Sequence, residues 1–121
     1  MQLKLLEQTF SVCKVADISD IDFSGEFCFV GKTDEELSLV CASQNVPANA
    51  AQCVHGWKAF KIQGVLDFSL IGILAKISGL LAEAQVSIFA VSTYNTDYFL
   101  VKAENLDSAV NALRGGGYTI E

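Results

Sequence analysis

Several features that define common protein classes are scarce in this chain. Its 121 residues include one proline and one histidine, and only 18% of them are charged. With 51% hydrophobic residues and so little proline, the chain is not of a disordered or low-complexity class. The most apolar stretch, residues 65–92, is interrupted by Asp67, Lys76 and Glu83. It therefore lacks the run of about 18 apolar residues that a membrane-spanning helix requires.

Basic residues are also in the minority. Eight Lys and Arg stand against 14 Asp and Glu, which gives a formal charge of −6 and a pI of about 4.6. A chain this acidic has no electrostatic footprint for nucleic acid or anionic lipid, so we expect neither as a partner. The first seven residues are too short and too soon interrupted for a signal peptide. We therefore expect a cytoplasmic protein.

The chain has no closely spaced cysteine motif. Its four cysteines are Cys13, Cys28, Cys41 and Cys53, and none belongs to a C-x-x-C pair. Zinc and redox motifs need tighter spacing. Buried free thiols are the favoured interpretation, although spacing alone leaves disulfides open. We expect no metal and no cofactor.

No arrangement of residues in the sequence indicates catalysis. The single histidine, His55, is interpreted as a boundary residue that caps a short helix or packs near Trp57. The acidic run at Asp17, Asp20 and Asp22 could bind a hard cation, but it lacks EF-hand spacing and favours a solvated loop. The glycines at 115–117 stop a helix and match no phosphate-binding motif. A non-enzymatic protein is therefore predicted.

The second half of the chain has a regular pattern of predicted elements. Residues 59–63 alternate like a strand, and Ser69 is placed to cap a helix with an apolar stripe. Residues 86–93 predict a central strand covered on both faces, and residues 98–102 a returning strand. A second helix follows, capped by Asn105, and a short last strand ends the chain. The stripe of the first helix consists of Leu70, Leu74, Ile77, Leu81 and Ala84. The order β-α-β-β-α-β is the α+β ferredoxin-like motif.

The first half is a partial repeat of the second. Residues 3–15 predict a long strand, residues 16–26 a loop, and residues 27–31 and 37–43 a hairpin. A short helix is predicted over residues 45–54, with Pro47 in its first turn. We therefore predict two related units, residues 1–56 and 57–121, of which the first has lost a helix. The apolar excess of the chain predicts a partner or self-association.

Two polar segments of the second unit form the candidate site. The start of the first helix offers unpaired N–H groups to an anion, and a glycine there, Gly72, indicates close approach of a ligand or of a neighbouring strand. In the ferredoxin-like arrangement, residues 92–97 lie beside it and include the carboxylate of Asp97. Together they complement the two charges of a free amino acid.

These same residues resemble the ACT domain, a βαββαβ module that binds amino acids and regulates metabolic enzymes. The similarity lies in FSLIGILA (68–75), LLAEAQVSI (80–88) and VSTYNTDY (91–98). The segments are similar to the regulatory ACT repeats of aspartate kinases and to small tandem-ACT proteins and arginine sensors. The resemblance covers residues 57–121 well and residues 1–56 only as a degenerate repeat.

The resemblance implies a set of ligand-binding positions. In that family the segment after the first strand and the end of the second strand hold the ligand's carboxylate and amine. By position these are Asp67, Phe68, Ser69, Leu70, Ile71, Gly72, Ile73, Ser92, Thr93 and Asp97. An acidic residue pairs with the guanidinium in the arginine sensors, which makes Asp97 the candidate cation partner. The implied function is a non-catalytic amino-acid sensor or regulatory module, and the implied assembly is a homodimer. The alternative is a protein-interaction module without a ligand, or a regulatory partner of an amino-acid biosynthetic enzyme.

Overall fold

The computed structural model describes residues 2–63 and 72–121. Within these residues, every helix is too short or too polar to span a membrane. The regular elements, in chain order, are β1 (Gln2–Lys14), β2 (Cys28–Lys32), β3 (Leu37–Ala42), β4 (Gln52–Ile62), α1 (Ile73–Glu83), β5 (Phe89–Ser92), β6 (Asp97–Lys102), α2 (Leu106–Gly115) and β7 (Thr119–Ile120).

The chain forms two compact units. The larger unit consists of the described residues of Met1–Glu7 together with Lys58–Glu121, and the smaller unit of Gln8–Trp57. Strands β1 and β4 each contribute one half to either unit. The predicted repeat of residues 1–56 and 57–121 remains a prediction.

The larger unit has the predicted order β-α-β-β-α-β, here β4-α1-β5-β6-α2-β7. Its strands pair in the order β7-β1-β4-β6-β5. Strands β5 and β6 are antiparallel, with Ser92 opposite Asp97, whereas β7 runs parallel to β1. The ferredoxin-like α+β class is therefore confirmed.

One face of this sheet and both helices enclose the core of the larger unit. Phe60 of β4 stacks on Phe99 of β6, with ring centroids 4.9 Å apart and an interplanar angle of 12°. Helix α1 buries Ile77 and Leu81 completely, as the predicted stripe requires, and Ala84 packs beside them. The remaining buried members are Leu3, Ile62, Val86, Val101, Ala109, Leu113 and Tyr118. Packing of this apolar face stabilises the helices more than their intrinsic propensity does.

The prediction of a central strand over residues 86–93 is wrong. The strand spans only Phe89–Ser92, its exposure alternates, and β6 is its neighbour in the described sheet. The inner position belongs to β6, whose residues Phe99, Leu100 and Val101 are fully buried. Apolar, β-branched composition favours a strand but does not fix its place in the sheet, because strand order depends on pairing with distant segments.

The smaller unit contains the predicted hairpin. Its strands pair in the order β2-β3-β1-β4, and Cys28 lies opposite Cys41 in the antiparallel β2–β3 pair. Residues 16–26 form the predicted loop, which contains one 3-10 turn at Ile18–Asp20.

The prediction of a helix over residues 45–54 is wrong. A 3-10 turn occupies Ser43–Asn45, and β4 begins at Gln52. The Ala51 N–H donates to Lys14 O at 2.9 Å, so this segment joins β1 instead. A helix this short is marginal without tertiary packing, and strand pairing therefore prevails.

Candidate functional site

The turn between β5 and β6 is fastened to the end of β4. Within the turn, the Thr93 N–H and hydroxyl both donate to Thr96 O at 2.9 Å. The Thr96 hydroxyl, in a side chain only 4% exposed, donates to Ile62 O at 2.7 Å. Ile62 is the last residue of β4. The turn therefore lies where the chain leaves β4 towards α1.

Helix α1 begins later than predicted. It starts at Ile73, and its N-cap is Gly72, with φ 85° and ψ −6° and no side-chain capping bond. The Lys76 N–H donates to Gly72 O at 2.8 Å and closes the first turn. The placement of Ser69 as the N-cap and of Gly72 inside the first turn is therefore wrong. A left-handed backbone at Gly72 cannot continue the helix towards the N-terminus.

The same geometry explains the glycine. A Cβ added to Gly72 would meet nothing within 4 Å among the described residues, so none of the described strands packs closely against it. The positive φ is the cause, because a residue with a Cβ pays a steric penalty there.

The two helices differ in how their N-termini are neutralised. Helix α2 has Asp107 in its first turn and Arg114 in its last, and both charges complement its dipole. Asn105 is its N-cap, although without a side-chain hydrogen bond. Helix α1 has no acidic residue in its first turn, residues 73–76. Within residues 73–76, therefore, no carboxylate complements the positive end of the helix dipole.

The predicted site residues are only partly described by the structure. Asp67, Phe68, Ser69, Leu70 and Ile71 lie outside the described residues. Gly72 and Ile73 form the junction that begins α1. Ser92 and Asp97 are cross-strand partners at the turn end of the β5–β6 hairpin, where Ser92 is exposed and Asp97 half-buried. Thr93 is exposed, and its hydroxyl proton is used within the turn.

Thr96 is the residue that sequence reasoning missed. Its residue type is common in turns, yet its hydroxyl makes the buried bond to the end of β4. Its partner is a backbone carbonyl in a distant strand, and no spacing in the sequence signals such a contact.

The interpretation of His55 as a helix cap is wrong, and its packing near Trp57 stays a prediction. It lies in β4 and caps no helix, and its Nδ1 is 2.6 Å from the Ser11 hydroxyl. Ser11 Oγ is also 2.8 Å from Ser43 Oγ. A serine beside a histidine is one part of a nucleophilic site, but Ser11 is fully buried and cannot reach a substrate. The buried Ser11 hydroxyl therefore has both side chains as hydrogen-bond partners.

The smaller unit contains a concave region that the sequence does not predict. A cavity of about 500 Å³ lies between the end of β1 with the residues after it and the turn of the β2–β3 hairpin. Basic and acidic side chains both line the cavity. The basic residues are Lys14 and Lys32, and the acidic residues are Asp17, Asp34, Glu35 and Glu36.

The acidic loop uses its carboxylates locally. Asp17 accepts from the Ser19 N–H at 2.8 Å, and Asp22 accepts from the Ser24 N–H at 2.9 Å. Hydrogen bonds from these serines lower the pKa of both carboxyls. In the part of the chain that the structure describes, no three His, Cys, Asp or Glu side chains are grouped to hold a metal ion.

The chain is similar to proteins of one family. A family model described as the ACT domain matches residues 52–115. The human cytosolic arginine sensor for mTORC1 subunit 1 is 37% identical over 59 residues, which make up 48% of this chain and 18% of that protein. The chain therefore matches less than a fifth of the length of that curated relative.

Two solved structures extend the comparison to nearly the whole chain. A crystal structure of an Agobacterium tumefaciens protein has a TM-score of 0.88 and 29% identity, and the match covers 99% of this chain and 91% of that one. The regulatory subunit of aspartate kinase from Thermus thermophilus has a TM-score of 0.61 and 12% identity, over 95% of this chain and 97% of that one. At this identity the second likeness shows the fold alone.

Proposed function

Because the chain belongs to the ACT domain family, we propose that it is a non-catalytic regulatory or sensor module that binds a free amino acid or a similar zwitterion. The matched family model covers more than half of the chain. The relative named as an arginine sensor is similar over part of the chain and supports this class of ligand. The buried position of Ser11 gives the Ser11–His55 pair no catalytic use.

The observation that carries the proposal is the bond between Thr96 and Ile62. It holds the β5–β6 turn against the end of β4, the strand from which the chain continues towards α1. Asp97 follows Thr96 directly and begins β6. A carboxylate is thereby held at the end of the unit where we propose that the ligand binds.

The proposed charges are complementary to a zwitterion. The N-terminus of α1, without an acid of its own in residues 73–76, receives the α-carboxylate through backbone N–H groups. Asp97 receives the ammonium group or a basic side chain, since a charged hydrogen bond is about twice as strong as a neutral one. Gly72 and Ile73 contribute backbone, Ser92 contributes a hydroxyl, and residues 67–71 complete the proposed site.

Thermal unfolding in the presence of each free amino acid tests the proposal. We expect one or a few of them to raise the Tm, because a ligand that binds only the folded state at a hundred times its Kd adds about 2.7 kcal/mol of stability. The matched control is the corresponding amino-acid amide, which lacks the carboxylate proposed to meet α1. An unchanged Tm with every amino acid at millimolar concentration would count against a ligand and favour an interaction module.

We propose in addition that the chain is a homodimer. The apolar excess of the sequence, in which 51% of the residues are hydrophobic, supports this proposal. Native mass spectrometry of the purified protein reports subunit number and any retained small molecule together. A monomeric mass would contradict the dimer without affecting the ligand proposal. A cytoplasmic location remains a prediction.

A further inference from the structure

All four cysteines belong to one apolar cluster in the smaller unit. Cys13 and Cys41 are buried members of the cluster, and Cys28 and Cys53 are half-buried side chains packed against it. The sequence separates them widely, and none is disulfide-bonded in this structure. The sheet brings them together because β1, β3 and their neighbours β4 and β2 each contribute one cysteine.

One pair is set apart by distance. The Sγ atoms of Cys13 and Cys53 are hydrogen-bonded at 3.1 Å, across the adjacent strands β1 and β4. A disulfide bond is about 2.05 Å long, so the two sulfurs must approach by about 1 Å. The two thiols differ in exposure, because Cys13 is only 3% exposed whereas Cys53 is half-buried beside the exposed Val54.

We propose that Cys13 and Cys53 form a redox-active dithiol that a peroxide converts into an intramolecular disulfide. The Cys53 sulfur attacks one peroxide oxygen and breaks the O–O bond, which gives a sulfenic acid and one molecule of water. The Cys13 sulfur then attacks the sulfenic sulfur and displaces its hydroxyl, which leaves with the Cys13 proton as a second water. The two sulfurs together lose two electrons, and the peroxide gains them.

The environment of Cys13 fixes the order of these steps. Burial, and then the hydrogen bond with Cys53, raise the pKa of Cys13 to about 12. Because the thiolate is the reactive form, Cys13 reacts slowly with peroxide directly. It lies 3.1 Å from Cys53, however, and is in place to resolve a sulfenic acid formed there. Cys53 is therefore oxidised first.

Peptide mapping of the full-length protein after treatment with hydrogen peroxide tests the proposal. Trypsin cleavage after Lys4, Lys14, Lys32 and Lys58 releases residues 5–14, 15–32 and 33–58, which carry Cys13, Cys28 and the pair Cys41 and Cys53. We expect a disulfide-linked product of 5–14 with 33–58 that disappears after reduction. Because Cys41 and Cys53 share one peptide, the same product must persist in Cys41→Ser to assign the bond to Cys53.

Variants separate this pair from the other thiols. Cys53→Ser and Cys13→Ala each abolish the linked product, and Cys53→Ser also abolishes the sulfenic acid that a dimedone-type reagent traps. The matched control is Cys28→Ser, another half-buried thiol of the same cluster, which leaves the product unchanged. The proposal is overturned if peroxide links 15–32 to 33–58 through Cys28 and Cys41, or if Cys53 stays unlinked in the folded wild-type protein.

Discussion

The Thr96 hydroxyl donates a 2.7 Å hydrogen bond to the carbonyl of Ile62, and this bond joins the β5–β6 turn to the last residue of β4. Thr96 is 4% exposed and Ile62 is fully buried, so water cannot replace either partner freely. The bond therefore has two roles. It satisfies a buried carbonyl, and it fixes the position of Asp97, the next residue along the chain.

Thr96→Val removes the hydroxyl and keeps the shape of the side chain. Because the buried Ile62 carbonyl then loses its partner, we expect the free energy of unfolding to fall by about 1–2 kcal/mol. Urea titration of the two proteins measures this difference. The control is Thr9→Val, an exposed threonine in β1, which is expected to change stability by less than about 0.5 kcal/mol. Equal effects at both positions would show that the Thr96 bond contributes nothing measurable.

Two glycines near and within α1 are expected to respond oppositely to alanine. Gly72 has φ 85°, so Gly72→Ala forces a Cβ into the left-handed region and should destabilise the protein by about 1–2 kcal/mol. Gly79 lies inside α1 with nothing within 4 Å of a built Cβ, so Gly79→Ala should stabilise it by up to about 1 kcal/mol. Thermal unfolding of the two variants measures both signs. A stabilising Gly72→Ala would contradict the left-handed cap.

Asp97→Asn tests the proposed cation partner. The substitution keeps the size of the side chain and removes its charge, so any amino acid that stabilises the wild-type protein should bind at least about tenfold more weakly. Isothermal titration calorimetry with that amino acid measures the change. Glu104→Gln is the matched control, because it also removes one negative charge from the larger unit, here from an exposed side chain. If the two variants bind equally, Asp97 is not the partner of the ammonium group.

The sequence predicts which face of a helix or strand is buried better than it predicts where that element lies in the sheet or where it begins. The alternation around Phe60 and the stripe through Ile77 and Leu81 each report burial of one face, and the structure buries all three residues. Periodicity contains no information about strand order. The sequence therefore predicts β5 as a central strand, although β6 lies between β4 and β5 in the described sheet. The predicted start of α1 differs from the observed start for a related reason. Ser69 has the chemistry of a cap, but the backbone angle of Gly72 decides where the helix begins.

The sequence predicts a residue of the candidate site only where the type of that residue indicates its chemical role. Asp97 stands out as a carboxylate in a turn, whereas Thr96 resembles any turn former until Ile62 is placed beside it. The cysteines show the same limit. Forty residues separate Cys13 from Cys53 in the chain, and only the pairing of β1 with β4 brings their sulfurs within 3.1 Å.

The buried thiols predict a loss of stability in alkaline solution. Burial is the main cause that raises the pKa of Cys13 to about 12 and of Cys41 to about 11, from an ordinary value of 9.0. In the unfolded chain both thiols ionise near their ordinary pKa. Because the folded-state pKa is the higher one, their contribution to stability is fully present below pH 9.0 and is lost as the pH rises towards 11 and 12.

Urea titrations between pH 9 and 11, in the presence of a reductant, measure this loss as a falling midpoint. The comparison protein is Cys13→Ala combined with Cys41→Ala, in which neither buried thiol can ionise. Burial also raises the pKa of Tyr98 and Tyr118, but both tyrosines are present in the two proteins and cancel in the comparison. We expect the midpoint of the variant to fall less steeply with pH. Parallel slopes would mean that the two thiols ionise equally well in the folded and unfolded states, and that the apolar cluster does not exclude their charge.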